Sequence, residues 1–473
     1  MQVSGSSSPK KGAFDLFCQE INGIAHRFVG FCDMYSEYFK VSGNDVSHQA
    51  RCYVTGLLMK ESRKNMERME EYVEGSEYQS TQQFLTDSPW DDQVLQKRIA
   101  QDVSREIGGT EAVLCLDESA FTKKGEKSVG VARQHNGRLG KTDNCQVGVF
   151  STLVKGKKCC IIGKRLYLPK TWTNNKARCD AAGIPKDRRI FKTKPQLALE
   201  LVDEAIAANV KFSYVCADAL YGNNPQLLRD LAKRGLKFIA DVHMNQMVYI
   251  EDPEPYLPRR RTSFGPKYKR LRARGMVQTT KSIIDTIEEH QWLTVSVRES
   301  TKGTLKLKSF RKKVWLWDGD EKKARQWWLV IVKYNDNEIK AFISNADLTV
   351  NLIGLVRAHA QRFWIERSFQ DAKTSLGMAD YQARKWNSWN HHMTLVSLAM
   401  HFGLMERLYH NTSDDLLSYQ DIVELLTIYL PRTDRTEEQV LKNLQRRHEK
   451  RQKSIESAYD KQRRLSTIKP ITK

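Results

Sequence analysis

The chain has 473 residues, 40% of them hydrophobic, with 77 Lys and Arg against 56 Asp and Glu and a net charge of +21. That content supports a sizeable core and excludes a mainly disordered or collagen-like chain. Without a run of about 18 apolar residues no membrane span is expected, and the charge calls for a polyanionic partner, nucleic acid before an anionic lipid surface.

The opening MQVSGSSSPKKGAFDLF has no apolar stretch of the kind a secretory signal needs, so a cytoplasmic protein is expected. Residues 1 to about 12 read as a loose tail. From Phe14 to about Val73 apolar residues recur at helical spacing. The stretch SHQARCYVTGLLMKESRKNMERMEEYV reads as two helices joined near Lys60–Ser62, with Ser62 as the cap of the second. Arg63 and Lys64 belong to a basic cluster at that start. Two readings are open: a helix-turn-helix-like DNA-binding unit, or a helical bundle with a solvated basic face.

From about residue 111 the pattern changes to α/β. Strands are expected at 112–116, at Ser128–Val131, at Gln146–Leu153, at 212–217 and at Leu236–Val242, and helices at 197–208 and 225–234. Alternating strands and helices imply a sheet buried on both faces. Two of the apolar runs, VLCL and YVCA, end in Asp117 and Asp218. In open α/β sheets functional groups collect beyond the carboxyl ends of strands. Glu118 points to the opposite side of an extended strand and reads as a neighbour of that group.

Residues 251–281 form a basic loop carrying Arg259, Arg260, Arg261, Lys267, Lys269, Arg270, Arg272, Arg274 and Lys281. So many like charges repel one another unless an anion neutralises them, which fits contact with a phosphate backbone. Five strand segments follow, 292–297, 304–310, 314–317, 327–333 and 339–344, suggesting an antiparallel β unit. Helices are expected from about Asn351 to Arg407. Within HAQRFWIERSFQDAKTSLG, Arg362, Glu366, Phe369 and Lys373 share one helical face. The tail from Arg432 is helical in composition, with thirteen basic and six acidic residues.

The nine cysteines are scattered without a CxxC pair, and Cys115 and Cys216 read as buried hydrophobes. His391 and His392 diverge by about 100° on a helix and read as packing and polar contacts. No GxxxxGK[ST] occurs, so no ATP-driven step is implied.

In combination these motifs resemble the bacterial insertion-sequence transposases of the DDE type. The pattern R-x3-E-x6-K is matched by Arg362, Glu366 and Lys373, although the branch with a Y-R-E-K signature carries Tyr where this chain has His359. Further matches are LDESAFTKKG at Asp117, the segment from Arg133 to Phe150, DALYGNN at Asp218, W..WNHH at Trp386, and FLTDSPWDD at Phe84. The resemblance implies an RNase H-like catalytic core interrupted by a β-rich insertion in the 148-residue interval from Asp218 to Glu366. The units expected are a helical DNA-binding domain (1–105), the core in two parts (106–245 and 349–410), the insertion (246–348) and a basic helical region (411–473).

It further implies Asp117, Asp218 and Glu366 as catalytic ligands of two Mg2+ ions, with Mn2+ able to substitute. Asp117 is the expected bridging ligand. Arg362, Lys373 and His359 are expected on phosphates. One tryptophan of the insertion is expected to stack on a flipped base, with Trp315 and Trp317 among the candidates. The implied activity is cut-and-paste transposition of double-stranded DNA by a nucleoid-associated homodimer, through a hairpin in some members of the branch. The alternatives are a catalytically silent DNA-binding derivative and an RNase H-like nuclease.

Overall fold

The computed structural model describes residues 23–41, 43–137, 139–258, 268–300, 303–335, 337–410, 417–433 and 436–467. The helical start comprises α1 (Ile24–Met34), α2 (Ser47–Leu58), α3 (Met66–Tyr72), α4 (Tyr78–Thr86) and α5 (Asp92–Ile107). Asp91 caps α5 by accepting from the backbone N–H groups of Gln93 and Val94. The cap of α3 is Asn65, not Ser62 as expected, because the chain between Met59 and Asn65 stays extended or bent.

Twelve strands follow in one sheet: β1 (Val113–Thr122), β2 (Ala132–Asn136), β3 (Lys141–Lys155), β4 (Lys158–Leu166), β5 (Tyr214–Ala217), β6 (Phe238–Val242), β7 (Met247–Tyr249), β8 (Val277–Thr279), β9 (Leu293–Ser300), β10 (Gly303–Leu316), β11 (Arg325–Asn335) and β12 (Glu338–Ser344). Their order is β8-β7-β10-β11-β12-β6-β5-β1-β3-β2, with β9 on β10 and β4 on β3. The central strands β1, β5 and β6 are parallel and every other pairing is antiparallel. The fold is therefore α/β with a mixed sheet.

Two strand expectations change. The segments at 304–310 and 314–317 are one strand, β10, and through β12 on β6 they extend the core sheet. Ser128–Val131 is a turn, because Gly130 takes φ +75° there.

Between β4 and β5 lies α6 (Lys194–Ala207), started by a capping box of Thr193 and Gln196. Between β5 and β6 lies α7 (Pro225–Lys233), capped by Asn224 with Pro at its first position. After the sheet come α8 (Leu352–Ala360), α9 (Phe363–Ser375), α10 (Trp386–Tyr409), α11 (Tyr419–Tyr429) and α12 (Glu437–Thr467). The helical stretch expected from 351 to 407 is thus three helices.

The helix α10 is buried around its whole circumference, touching α2, α4, α5 and β4. His391 stacks on Trp90 at 3.9 Å and its Nδ1 bonds the Leu85 carbonyl at 2.9 Å. His392 faces elsewhere, with Nδ1 2.7 Å from the Tyr53 hydroxyl and its ring on Tyr381. The two rings serve packing, as the sequence indicates. Among the described residues the eight cysteines are all free, and no helix is long and apolar enough to cross a membrane.

Burial holds His391 down to about 4 and His392 down to about 3. Both are neutral when folded and protonate near 6.5 when unfolded, so the unfolded chain binds more protons below that pH. The contribution of the two rings to stability is expected to be full above pH 6.5 and to be lost on acidification, by about 1.4 kcal/mol per pH unit for each ring. Urea unfolding of the chain and of His392→Gln at pH 7 and pH 5 measures this: the variant is expected to lose less stability between the two than the unaltered chain, and equal losses would contradict it.

Candidate active site

The site is built by strand register. Leu116 of β1 pairs with Ala217 of β5, and Ala217 pairs with Ala240 of β6. The next residue on each strand is acidic: Asp117, Asp218 and Asp241. Three aspartates therefore stand in register across three adjacent parallel strands: Asp218 just past the end of β5, Asp241 next to the end of β6, and Asp117 midway along β1, which runs on to Thr122 and not only to 116 as expected. Asp218 ends its strand and caps a short turn, accepting from the Leu220 N–H at 2.9 Å. That turn ends at Gly222, where a Cβ would lie 1.9 Å from the Asp241 carbonyl oxygen. Only glycine lets the two chain segments approach this closely.

Like charges so placed resist ionisation. Burial, reinforced by Asp218, pushes the Asp117 carboxyl up to about 8, against the pull of Arg362. Burial and Glu118 likewise raise Asp218. Burial would raise Asp241 too, but His359 and Arg362 hold it below the usual carboxylate range.

Arg362, at the junction of α8 and α9, answers this charge. Its Nε lies 3.1 Å from Asp241, one Nη lies 3.8 Å from Asp117, and the other lies 3.5 Å from Glu366. Each nitrogen of one guanidinium thus faces a different carboxylate. Burial disfavours its charge, yet Asp241, Asp117, Glu366 and Asp218 together hold the guanidinium above its ordinary value. Behind Asp241 lies His359, 4% exposed, with Nε2 2.7 Å from the carboxylate and the ring stacked on Phe342 at 4.3 Å.

Glu366 is one turn further along, with a side chain 61% exposed. Phe369 packs on Phe150, and the Lys373 ammonium donates to the Ala120 carbonyl at 3.3 Å. Glu118 accepts from the Tyr221 hydroxyl at 2.9 Å and pairs with Lys194 at 2.7 Å, so it braces the site from the side.

The structure brings Asp117, Asp218, Glu366 and Arg362 together. It also adds Asp241, which the sequence reading missed although FIAD repeats the pattern of an apolar strand ending in Asp. All oxygens here are carboxylate oxygens, the donors that hard divalent cations take. The charge left on the Asp117–Asp218 pair suits such a cation. Among the described residues no three His, Cys, Asp or Glu side chains already converge on one point. The Arg362 guanidinium lies among the carboxylates instead.

The other expected contacts scatter. His359 is turned inward to Asp241, so its ring is spent on a carboxylate rather than open to a phosphate. Lys64 is 2% exposed, its ammonium donating to the Leu57 carbonyl at 2.7 Å and to the Ser375 carbonyl. A lysine so enclosed cannot reach DNA. Its neighbour Arg63 is exposed. The outer face of α3 carries Glu67, Glu70 and Glu71, which pair with Lys450, Arg446 and Arg447 of α12. That covered, acidic face favours the bundle reading over a recognition helix.

Lys269, Arg270, Arg272 and Arg274 are exposed, whereas Arg259, Arg260, Arg261 and Lys267 lie outside the described residues. Trp315 and Trp317 are half-buried, and the Trp317 ring N–H donates to the Glu321 carbonyl at 2.7 Å.

Asp241→Asn removes one partner of a partly buried charge and leaves Arg362 and His359 without it. Its cost is expected to be about 3 kcal/mol in urea unfolding. A loss below about 0.5 kcal/mol, the range of ordinary surface changes, would contradict this geometry.

Residues 37–304 match the sequence family described as DDE superfamily endonuclease. The chain is also 26% identical, over 363 residues, to a protein of Microchaete diplosiphon named as a probable transposase for insertion sequence element IS701. That match covers 75% of this chain and 82% of the relative.

Proposed function

Because the chain belongs to the DDE superfamily of endonucleases, among the transposases of insertion sequences, we propose that it binds the inverted terminal repeats of its own element, cuts them and joins them to a target. The observation that carries this reading is the row of aspartates on β1, β5 and β6, tied to Glu366 by Arg362. The parallel central strands flanked by antiparallel β3 are in keeping with an RNase H-like core.

Asp117, Asp218 and Glu366 would hold the divalent ions, for which Mg2+ is the natural choice. Bound there, the ions supply an activated water and a stabilised leaving oxygen on opposite sides of the phosphorus. The remaining work falls to the chain itself. The Arg362 guanidinium offers fixed donors that suit phosphate oxygens in two-point contact. Asp241 and His359 hold it from behind, so its direction is set before DNA arrives. Lys373, held at the β1 backbone, adds positive charge on the same side.

The exposed bases of residues 269–274 would follow the DNA backbone. Trp315 and Trp317 are the aromatic surfaces available to an unstacked base. Two ends must be brought together, so the working unit is a homodimer on DNA.

The test is cleavage of the DNA flanking the chain's own gene, with Mg2+ or with EDTA, beside Asp218→Asn. Metal-dependent cuts at two inverted ends are expected, absent in the variant, whose DNA affinity stays within about twofold of the parent. The form of the cut ends distinguishes a hairpin from simple breaks. Cleavage that persists in Asp218→Asn would remove that residue from the site, and tight binding without any cut would leave a silent DNA-binding derivative.

A further inference from the structure

Away from the carboxylates, a groove of about 1150 Å3 runs between Arg63 before α3, the turn after β1, and the segment 379–385 before α10. It shares Arg63, Asn65, Glu67 and Gln382 with a recess of about 410 Å3 under α12. Ten basic and three acidic side chains line the two together. Two of those acids are engaged: Glu67 pairs with Lys450 at 3.1 Å, and Asp380 accepts from the Lys64 backbone N–H at 3.0 Å. Arg63, Lys124, Lys127, Arg384 and Arg451 are exposed and have no ion pair among the described residues.

These five cations come from four segments far apart in sequence, and folding gathers them in one concavity. Interactions over less than a Debye length, about 8 Å at physiological salt, are poorly screened. Bringing like charges together therefore opposes folding unless a polyanion offsets it.

We propose that this groove is a second DNA-binding surface, which takes the sugar–phosphate backbone of a duplex at a distance from the cleaved phosphate. The proposal rests on the transposase reading and adds a place to it. Asp117 and Lys123 are six residues apart along β1 and its extension. At about 3.3 Å per residue the groove begins roughly 20 Å from the carboxylates. Duplex DNA advances about 3.4 Å per base pair, so the contacted phosphates lie about six base pairs from the cut. The duplex is the element's own end, since the offset is counted along the strand that is cut.

The test compares the full chain with Arg63→Gln/Arg384→Gln/Arg451→Gln, and with a control carrying Lys97→Gln/Lys186→Gln/Lys211→Gln at exposed sites outside the groove. Fluorescence anisotropy follows binding to an end duplex and to an unrelated duplex of equal length, between about 50 and 200 mM salt. The groove variant is expected to lose about three from the slope of log K against log salt, while the control keeps the parent slope. A loss confined to the end duplex assigns the groove to the element's end. An equal loss on both shows that the groove grips the end's backbone without reading its sequence.

Phosphate ethylation interference on the unaltered protein gives a second reading that does not depend on how the variants fold. Interference about six base pairs from the cut is expected, and its absence there overturns the proposal. An unchanged slope in the groove variant also overturns it. If Asp218-dependent cleavage then persists, the transposase reading stands without the groove. A parent chain that neither binds nor cuts its own ends fails both.

Discussion

Parallel strands in register place residues of equal position side by side, and here that rule puts Asp117, Asp218 and Asp241 in one row. Carboxylates this close cannot all be ionised in a partly buried setting without a cation. The fold meets the constraint with Arg362, whose three nitrogens divide among Asp117, Asp241 and Glu366. The junction of α8 and α9, the inward turn of His359 and the stacking of Phe342 all serve to keep that guanidinium in place. The excess of carboxylate charge is what a divalent ion would relieve, and the Arg362 guanidinium would then be left to a phosphate.

The surrounding architecture keeps this row rigid. Gly222 lets the turn after Asp218 press onto the β6 backbone, where any side chain would collide with the Asp241 carbonyl. On the other side Glu118, Tyr221 and Lys194 form a bridge from β1 to α6. Beneath the sheet, α10 supplies an apolar centre against which the helical start and β4 pack. A substitution deep in that centre reaches the carboxylates through the sheet, because packed cores shift as units.

Much of this was legible in the sequence. Apolar runs ending in Asp announced β1 and β5, and the spacing of Arg362, Glu366 and Lys373 announced one helical face. These signals are local, so they survive without knowledge of the fold. Asp241 carries the same local signal in FIAD, but what makes it matter, the pairing of β6 with β5, does not show in the sequence. His359 and Lys64 looked like phosphate ligands for the opposite reason: their polarity shows in the sequence, but their burial against Asp241 and against backbone carbonyls does not. Ser128–Val131 has the β-branched residues of a strand, and a left-handed glycine turns it into a bend. The convergence of Arg63 with α12 could not be foreseen, since 388 residues separate Arg63 from Arg451.

The most direct measurement of the central claim is Mn2+ uptake by the purified chain, followed by loss of the free ion's paramagnetic signal. Aspartates on β1 and β5 that hold the ion, with Asp241 serving Arg362 instead, predict that Asp117→Asn and Asp218→Asn each abolish uptake while Asp241→Asn retains it. Uptake by Asp218→Asn equal to that of the unaltered chain would contradict the account.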